Sequence, residues 1–242
     1  MNYKEKHLRS ILNAPNFDKL LLFYTPYFND QDSCIDYLFS VLRYEPTHTV
    51  GLYEGDLCAL DINGKVVIDD VFIPKRMLNA VQRFVSVAKD IDTIRPGDDP
   101  FKIIFLITCI ESLQTLRGKT FKTKRNMIID FFDTFTSIAD SEFISNHFES
   151  IPEDFYDMPK SGPVVLAEAL YAIRNAAVHN GDCWDLLFPD SNMGLLINVS
   201  DKKRQSLHKG YINAISYSKF EHIFVRTCMN LISHYVSAEC NL

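Results

Sequence analysis

From residue 100 onward, apolar positions recur at helical spacing, while the first ninety-odd residues are less regular. Phe101 to Leu116 is nearly all apolar, through Ile103, Ile104, Phe105, Leu106, Ile107, Cys109, Ile110 and Leu113. That is the pattern of a helix buried on most sides, and Glu111 in its middle calls for a partner. Thr123 to Ala139 predicts a second helix, with Met127, Ile128, Phe131, Phe132, Phe135 and Ile138 as its apolar side. A third is expected from Pro163, which suits position N1, to about Asn180, with Gly181 as a left-handed stop. The last carries Phe220, Ile223, Phe224, Leu231, Ile232, Tyr235 and Val236, and Ser218-x-x-Glu221 before it has capping-box spacing. Residues 140 to 162 are acidic and contain proline, with a short helix expected at Glu142 to Phe148.

Strand patterns are fewer. Leu57 to Ile62 and Lys65 to Ile68 flank Asn63-Gly64, a pair that tolerates positive φ and so predicts a hairpin. Leu195 to Val199 and Tyr211 to Ile215 are expected to pair around Asp201-Lys202-Lys203-Arg204. Near the start, Asn16 to Tyr27 is apolar and aromatic but interrupted by Pro15 and Pro26. Asp32 to Arg43 has helical spacing up to Pro46, and Leu78 to Ile91 marks a further helix. Arg95-Pro96-Gly97-Asp98-Asp99-Pro100 is the strongest boundary signal. The expected organisation is therefore an α+β region over 1–96 and a mainly α bundle of four to five helices with β-hairpin additions over 97–242.

Composition narrows the class rather than the function. With 242 residues, 47% hydrophobic and 23% charged, the chain is ordinary globular protein. No apolar run reaches the ~18 residues that span a bilayer, and the polar start Met1 to Lys6 lacks the apolar core of a signal peptide. A cytoplasmic protein without a membrane partner is the expectation. Cys34, Cys58, Cys109, Cys183, Cys228 and Cys240 include no C-x-x-C pair, which argues against a disulfide framework or a zinc site. His179-x-x-x-Cys183 sets two ligand types near each other, but no second pair completes four-coordination. A net charge of −6 excludes nucleic-acid binding driven by the overall field, so any such contact needs a local patch.

The candidate chemistry lies at the end of the third helix, in Ala172-Ile173-Arg174-Asn175-Ala176-Ala177-Val178-His179-Asn180-Gly181-Asp182. Three polar side chains on the last turns of a helix expected to be buried need pairing. Arg and His with four residues between them occur twice, at Arg43/His48 and Arg174/His179, and about one such match is expected by chance. Pro46 keeps the first pair off one regular helix. In the second, Leu166, Leu170, Ile173 and Ala177 form an apolar stripe, while Glu168, Tyr171, Asn175, His179 and Asp182 follow one another on another face.

Arg174-Asn175-Ala-Ala-Val-His179 within this order of helices resembles the signature of the HEPN superfamily, in particular its Apea-like and related bacterial groups. The resemblance spans about Phe101 to Val236. It implies a HEPN-type bundle, a homodimer with both Arg/His pairs at the interface, and a metal-independent endoribonuclease with no cofactor. His179 would exchange the proton as the RNA 2′-hydroxyl attacks the adjacent phosphate. Arg174 would stabilise the transition-state charge, Asn175 would place the phosphate or orient His179, and Glu111 would orient Arg174, with Tyr171 in support. Such enzymes act as toxins or in phage defence, so an antitoxin or regulatory partner belongs to the same implication. The alternative is a non-catalytic HEPN module that binds RNA, a nucleotide or a partner protein.

A basic loop is the candidate RNA contact. Arg117, Lys119, Lys122, Lys124 and Arg125 place five cations in nine residues with no acid, interleaved with Phe121. A well-solvated turn is the competing explanation. Lys202, Lys203, Arg204 and His208-Lys209 form a weaker second cluster.

Overall fold

The computed structural model describes residues 3–42, 49–53, 56–60, 66–67, 73–152, 158–180, 188–189, 195–200 and 208–239. The described chain is mainly α, with two small antiparallel sheets. By contacts it forms two compact units, Met1–Gln82 with Ile232–Leu242, and Arg83–Leu231.

The first unit is more regular than its sequence suggests. Helices α1 (Tyr3–Leu12), α2 (Ala14–Tyr24) and α3 (Gln31–Leu42) bury Leu8, Leu12, Phe17, Leu20, Ile35 and Leu38. Pro15 does not interrupt α2 but opens it. Proline lacks an N–H that the first turn would leave unpaired anyway. Asn13 caps that turn by accepting a hydrogen bond from the Asn16 N–H at 3.1 Å. Pro26 falls in a 3-10 turn at Thr25–Tyr27 beyond the helix. The buried Tyr24 hydroxyl donates to the Leu78 carbonyl at 3.0 Å, which fastens α2 to the start of α4 (Ile73–Ile94). Strands β1 (Thr49–Tyr53), β2 (Asp56–Leu60) and β3 (Val66–Val67) form a sheet in the order β1-β2-β3. The expected β2–β3 pairing is present. Its Asn63-Gly64 turn lies outside the described residues, and β1 is an addition to the expected elements.

In the second unit the segment at 95–100 is the turn between α4 and α5 (Asp99–Leu116). It is closed by Arg95 N–H to the Ile91 carbonyl at 2.7 Å and by Lys102 to Asp92 at 2.5 Å. Helix α5 stops at Gly118, whose φ of +66° admits the left-handed cap. The Gly118 N–H goes to Thr115 O and the Lys119 N–H to Gln114 O, the paired closure of a Schellman turn. The expected second helix is in fact two. Helix α6 (Lys124–Phe135) ends at extended Thr136, and Ser137 then caps α7 (Ile138–His147) through the Asp140 N–H. Ile138, assigned to the apolar side, is instead 81% exposed, because the break rotates it out of the α6 stripe. Phe148, expected to end the short helix from Glu142, instead opens strand β4 (Phe148–Ser150), which pairs with β6 (His208–Asn213). Strand β6 also pairs with β5 (Leu195–Ser200) in the expected antiparallel sense, giving the order β4-β6-β5.

Helix α8 (Pro163–Asn175) begins with Pro163 as expected, after Gly162 at φ +101°. A side chain there would also crowd Ser145, since its Cβ would lie 3.3 Å from that hydroxyl. Helix α8 packs mainly on α6 and α5. The last helix, α9 (Tyr217–Glu239), starts one residue before the expected cap. Ser216, not Ser218, accepts from the Lys219 N–H, and buried Glu221 pairs with Lys89 at 2.8 Å. The core between α6 and α9 is aromatic: Phe131 meets Phe224 at 5.7 Å between centroids and Phe132 stacks on Phe220 at 6.5 Å. Each fully buried ring contributes roughly 1.5–3 kcal/mol of transfer free energy. Arg226 grips Asp140 with two hydrogen bonds, and Asn230 donates to the Phe135 carbonyl at 2.9 Å, so the ends of α6 and α7 are held to α9.

Candidate functional site

The apolar stripe of α8 is buried as the spacing predicts, with Leu166, Leu170 and Ile173 at 1–3% exposure. The opposite stripe emerges. Glu168, Tyr171, Arg174 and Asn175 are half-buried and His179 is exposed. The expectation that the Arg/Asn/His cluster ends a buried helix is thus corrected: the helix is buried along one side only, and its last turn leaves the core. Val178, beside His179, is 46% exposed.

The backbone changes at the same place. Regular α-helix ends at Asn175, and Ala176–Asn180 forms a π turn, with hydrogen bonds running i to i+5 instead of i to i+4. His179 is therefore carried on a widened turn. Gly181, Asp182 and Cys183 lie outside the described residues.

Arg174 turns sideways. Its Nη1 donates to Asn175 Oδ1 at 3.2 Å, so Asn175 holds the guanidinium rather than the imidazole. No carboxylate pairs with Arg174 among the described residues. Glu111, expected to orient Arg174, has both its oxygens on Lys124 Nζ at 2.8 and 3.0 Å. A lysine one helix away reaches it first. Tyr171 stands on the same helix three residues before Arg174.

The basic loop is a different object from the one its sequence suggests. Its nine residues contain no acid, but acids on three helices come to it. Lys119 pairs with Asp130 of α6 at 2.9 Å, Lys124 with Glu111 of α5, and Arg125 with Glu168 of α8. Arg117 donates to Gln114 Oε1 at 2.9 Å and lies over the Phe135 ring at 4.9 Å. Burial pushes the Arg117 pKa down, and Asp130 partly offsets this. Lys122 is exposed and carries no such pair among the described residues. Nearby, burial raises Tyr211 to about 12, aided by Glu168 and opposed by Arg125. Three separate acids, none of them in the loop's own sequence, thus pair with most of the patch. Glu168 had a visible signal, its place on the polar stripe of α8; Asp130 had none. Lys202, Lys203 and Arg204 of the second cluster lie outside the described residues.

A shallow cleft of about 450 Å³ lies at the α6–α7 junction, lined by Asp133, Thr136, Ser141, Glu142 and Asn146 among others, and by none of the residues above. The described residues contain no group of three His, Cys, Asp or Glu side chains placed to hold a metal ion. No helix among them is long and apolar enough to cross a membrane. Comparison of the chain with models of known protein families, with curated proteins and with solved structures finds no match.

Proposed function

We propose that the protein is a metal-independent endoribonuclease of HEPN type, with Arg174 and His179 as its reacting groups. The observation that carries this reading is the contrast around Arg174. It is a half-buried residue whose guanidinium is held by a neutral amide and by no carboxylate among the described residues, with an exposed histidine five residues on, on a non-α turn. A cation left without an acid partner retains its charge for an anionic ligand.

In the reaction, His179 takes the proton of the RNA 2′-hydroxyl as that oxygen attacks the neighbouring phosphorus. The P–O5′ bond breaks, the leaving 5′-oxygen receives a proton, and a 2′,3′-cyclic phosphate remains. An imidazole suits both transfers because its ordinary pKa of ~6.5 leaves both forms available near neutrality. Arg174 meets the extra charge on the phosphorane with paired donors, and Asn175 holds the guanidinium through its Oδ1. The active assembly is a homodimer with the two helix ends facing each other, the arrangement the HEPN resemblance implies. A toxin or phage-defence role belongs to the same proposal.

The test is RNA cleavage by the purified chain in EDTA, with the ends analysed and the mass of the assembly measured. Cyclic phosphate ends from the wild type, and none from His179→Ala, are expected. Undiminished cleavage by His179→Ala overturns the assignment. A folded wild-type dimer that binds RNA without cutting it would instead make this a non-catalytic binding module.

A further inference from the structure

We infer that the cleft at the α6–α7 junction is a binding site for a linear aliphatic polyamine. Its walls come from two helices. Asp133 and Thr136 belong to the end of α6, while Ile138, Ser141, Glu142 and Ser145 follow one another at spacings of one, three and four along one face of α7. Asp133 and Glu142 are both exposed, and neither pairs with a lysine or arginine among the described residues. Other acids on the same two helices do have cations: Asp130 holds Lys119 and Asp140 holds Arg226. Asp133 also stands in the last turn of α6, where the helix dipole is already negative and no basic residue offsets it. Both features favour a cationic ligand.

The remaining groups decide which cation. Ile138 lines the same cleft and is mostly exposed, so an alkyl chain laid against it takes apolar surface out of water. A bare metal ion gains nothing from that contact. Two carboxylates also fall short of the oxygen shell that a divalent ion needs, and the described residues hold no metal-binding group of three. Ser145 gives its proton to the Ser141 carbonyl at 2.8 Å, which leaves its oxygen only lone pairs to offer. Thr136 Oγ1 is buried without a hydrogen-bond partner, and a change of rotamer beside a bound donor would relieve it. An ammonium group carries three donors and no acceptor, which suits carboxylates and hydroxyl oxygens alike. With the acids on two different helices, an alkyl chain bearing more than one ammonium group can meet both. A cleft of about 450 Å³ has room for such a chain.

The test is calorimetric titration of the full-length chain with spermidine in about 0.1 M salt, where charges more than ~10 Å apart are largely screened. Asp133→Asn/Glu142→Gln should weaken binding by at least about tenfold, since charge-assisted hydrogen bonds are lost. Asp32→Asn/Asp90→Asn removes the same charge from exposed positions elsewhere and should stay within about twofold of wild type. Ile138→Ser leaves the charge unchanged and should cost about threefold through lost apolar contact. All these side chains are exposed, so thermal melts should show folded variants. Equal weakening by both acid pairs means a diffuse surface attraction and overturns the inference, as does no binding by wild type. Mg²⁺ alone and Nα-acetyl-lysine methylamide are titrated in parallel. Mg²⁺ binding that depends on Asp133 and Glu142 as strongly as spermidine binding does overturns the choice of an organic cation. Lysine amide binding as tightly as spermidine makes the ligand a partner's side chain and overturns the polyamine. No RNA enters the measurement, so its outcome stands apart from the function proposed above.

Discussion

The loop at 117–125 and the helix end at 174–179 invert each other. The first is rich in cations, and the fold gives most of them acids. The second has one cation and one imidazole, and the described fold gives the cation only an amide. Charge density along a chain measures neither local field nor binding capacity. What matters is whether tertiary neighbours have already neutralised the group. Lysines that pair with Glu111 and Asp130 fasten helices to one another. An arginine that pairs with no carboxylate among the described residues keeps its donors for another anion.

The comparison breaks most sharply at His179. His179→Ala should lower RNA cleavage by about 10³-fold, within the range for general acid–base catalysis, while melting temperature holds, because the side chain is exposed. Arg174→Lys should lose nearly as much, since a point charge does not replace a planar fork of donors. If Arg174→Lys cleaves like wild type, the contrast between the two regions loses its chemical meaning. Kinetics at saturating RNA and a thermal melt read both effects.

A buried ion pair supplies the other extreme. Lys102 is 4% exposed and contacts Asp99 at 2.8 Å, while Asp99 also takes the Phe188 N–H at 2.6 Å. Lys102→Met leaves Asp99 buried without its cation, so unfolding in urea should show a loss of about 3 kcal/mol. In the loop the same operation should do far less. Lys119→Ala or Lys124→Ala breaks a partly exposed pair worth roughly 0.2–1 kcal/mol, and cleavage should stay within about twofold. A tenfold loss of cleavage in Lys124→Ala would return the loop to the RNA interface.

The smallest effect is a pH dependence. Burial pushes His222 below its ordinary value, with Glu221 opposing and Arg226, Lys219 and Lys89 adding to it. Its folded pKa is depressed, so the unfolded chain binds the proton more readily. Its contribution to stability is present above about 6.5 and is lost as pH falls through the folded value. Between pH 7 and 5, His222→Gln should therefore lose less stability than wild type, as read by urea midpoints.

Periodicity made much of the fold legible. The stripes of α5, α8 and α9 and the antiparallel sense of both hairpin pairings follow from spacing alone, because burial on one side leaves a period in the chain. Less legible were the breaks. Thr136-Ser137 splits α6 from α7 through one extended residue and one hydroxyl cap, while the apolar period runs on across it into Ile138. Pro15 was ambiguous because proline both opens and ends helices. At the candidate site, the sidedness of α8 could be read from the chain, but the partners of its polar side chains could not. Glu111 serves Lys124, thirteen residues on at the start of the next helix, and Asn175 serves its neighbour Arg174, choices made by side-chain reach that helical spacing does not record.

The order β4-β6-β5 also sets a schedule. The middle strand is the last of the three to be synthesised, and its pairing of Asn213 with both Phe148 and Leu195 closes the long loop that contains α8. During translation α8 emerges with its main packing partners α5 and α6 already made, whereas the loop around it is closed only when β6 follows. On the RNA-cutting function proposed above, that order would leave the loop around Arg174 and His179 open until the chain is nearly complete.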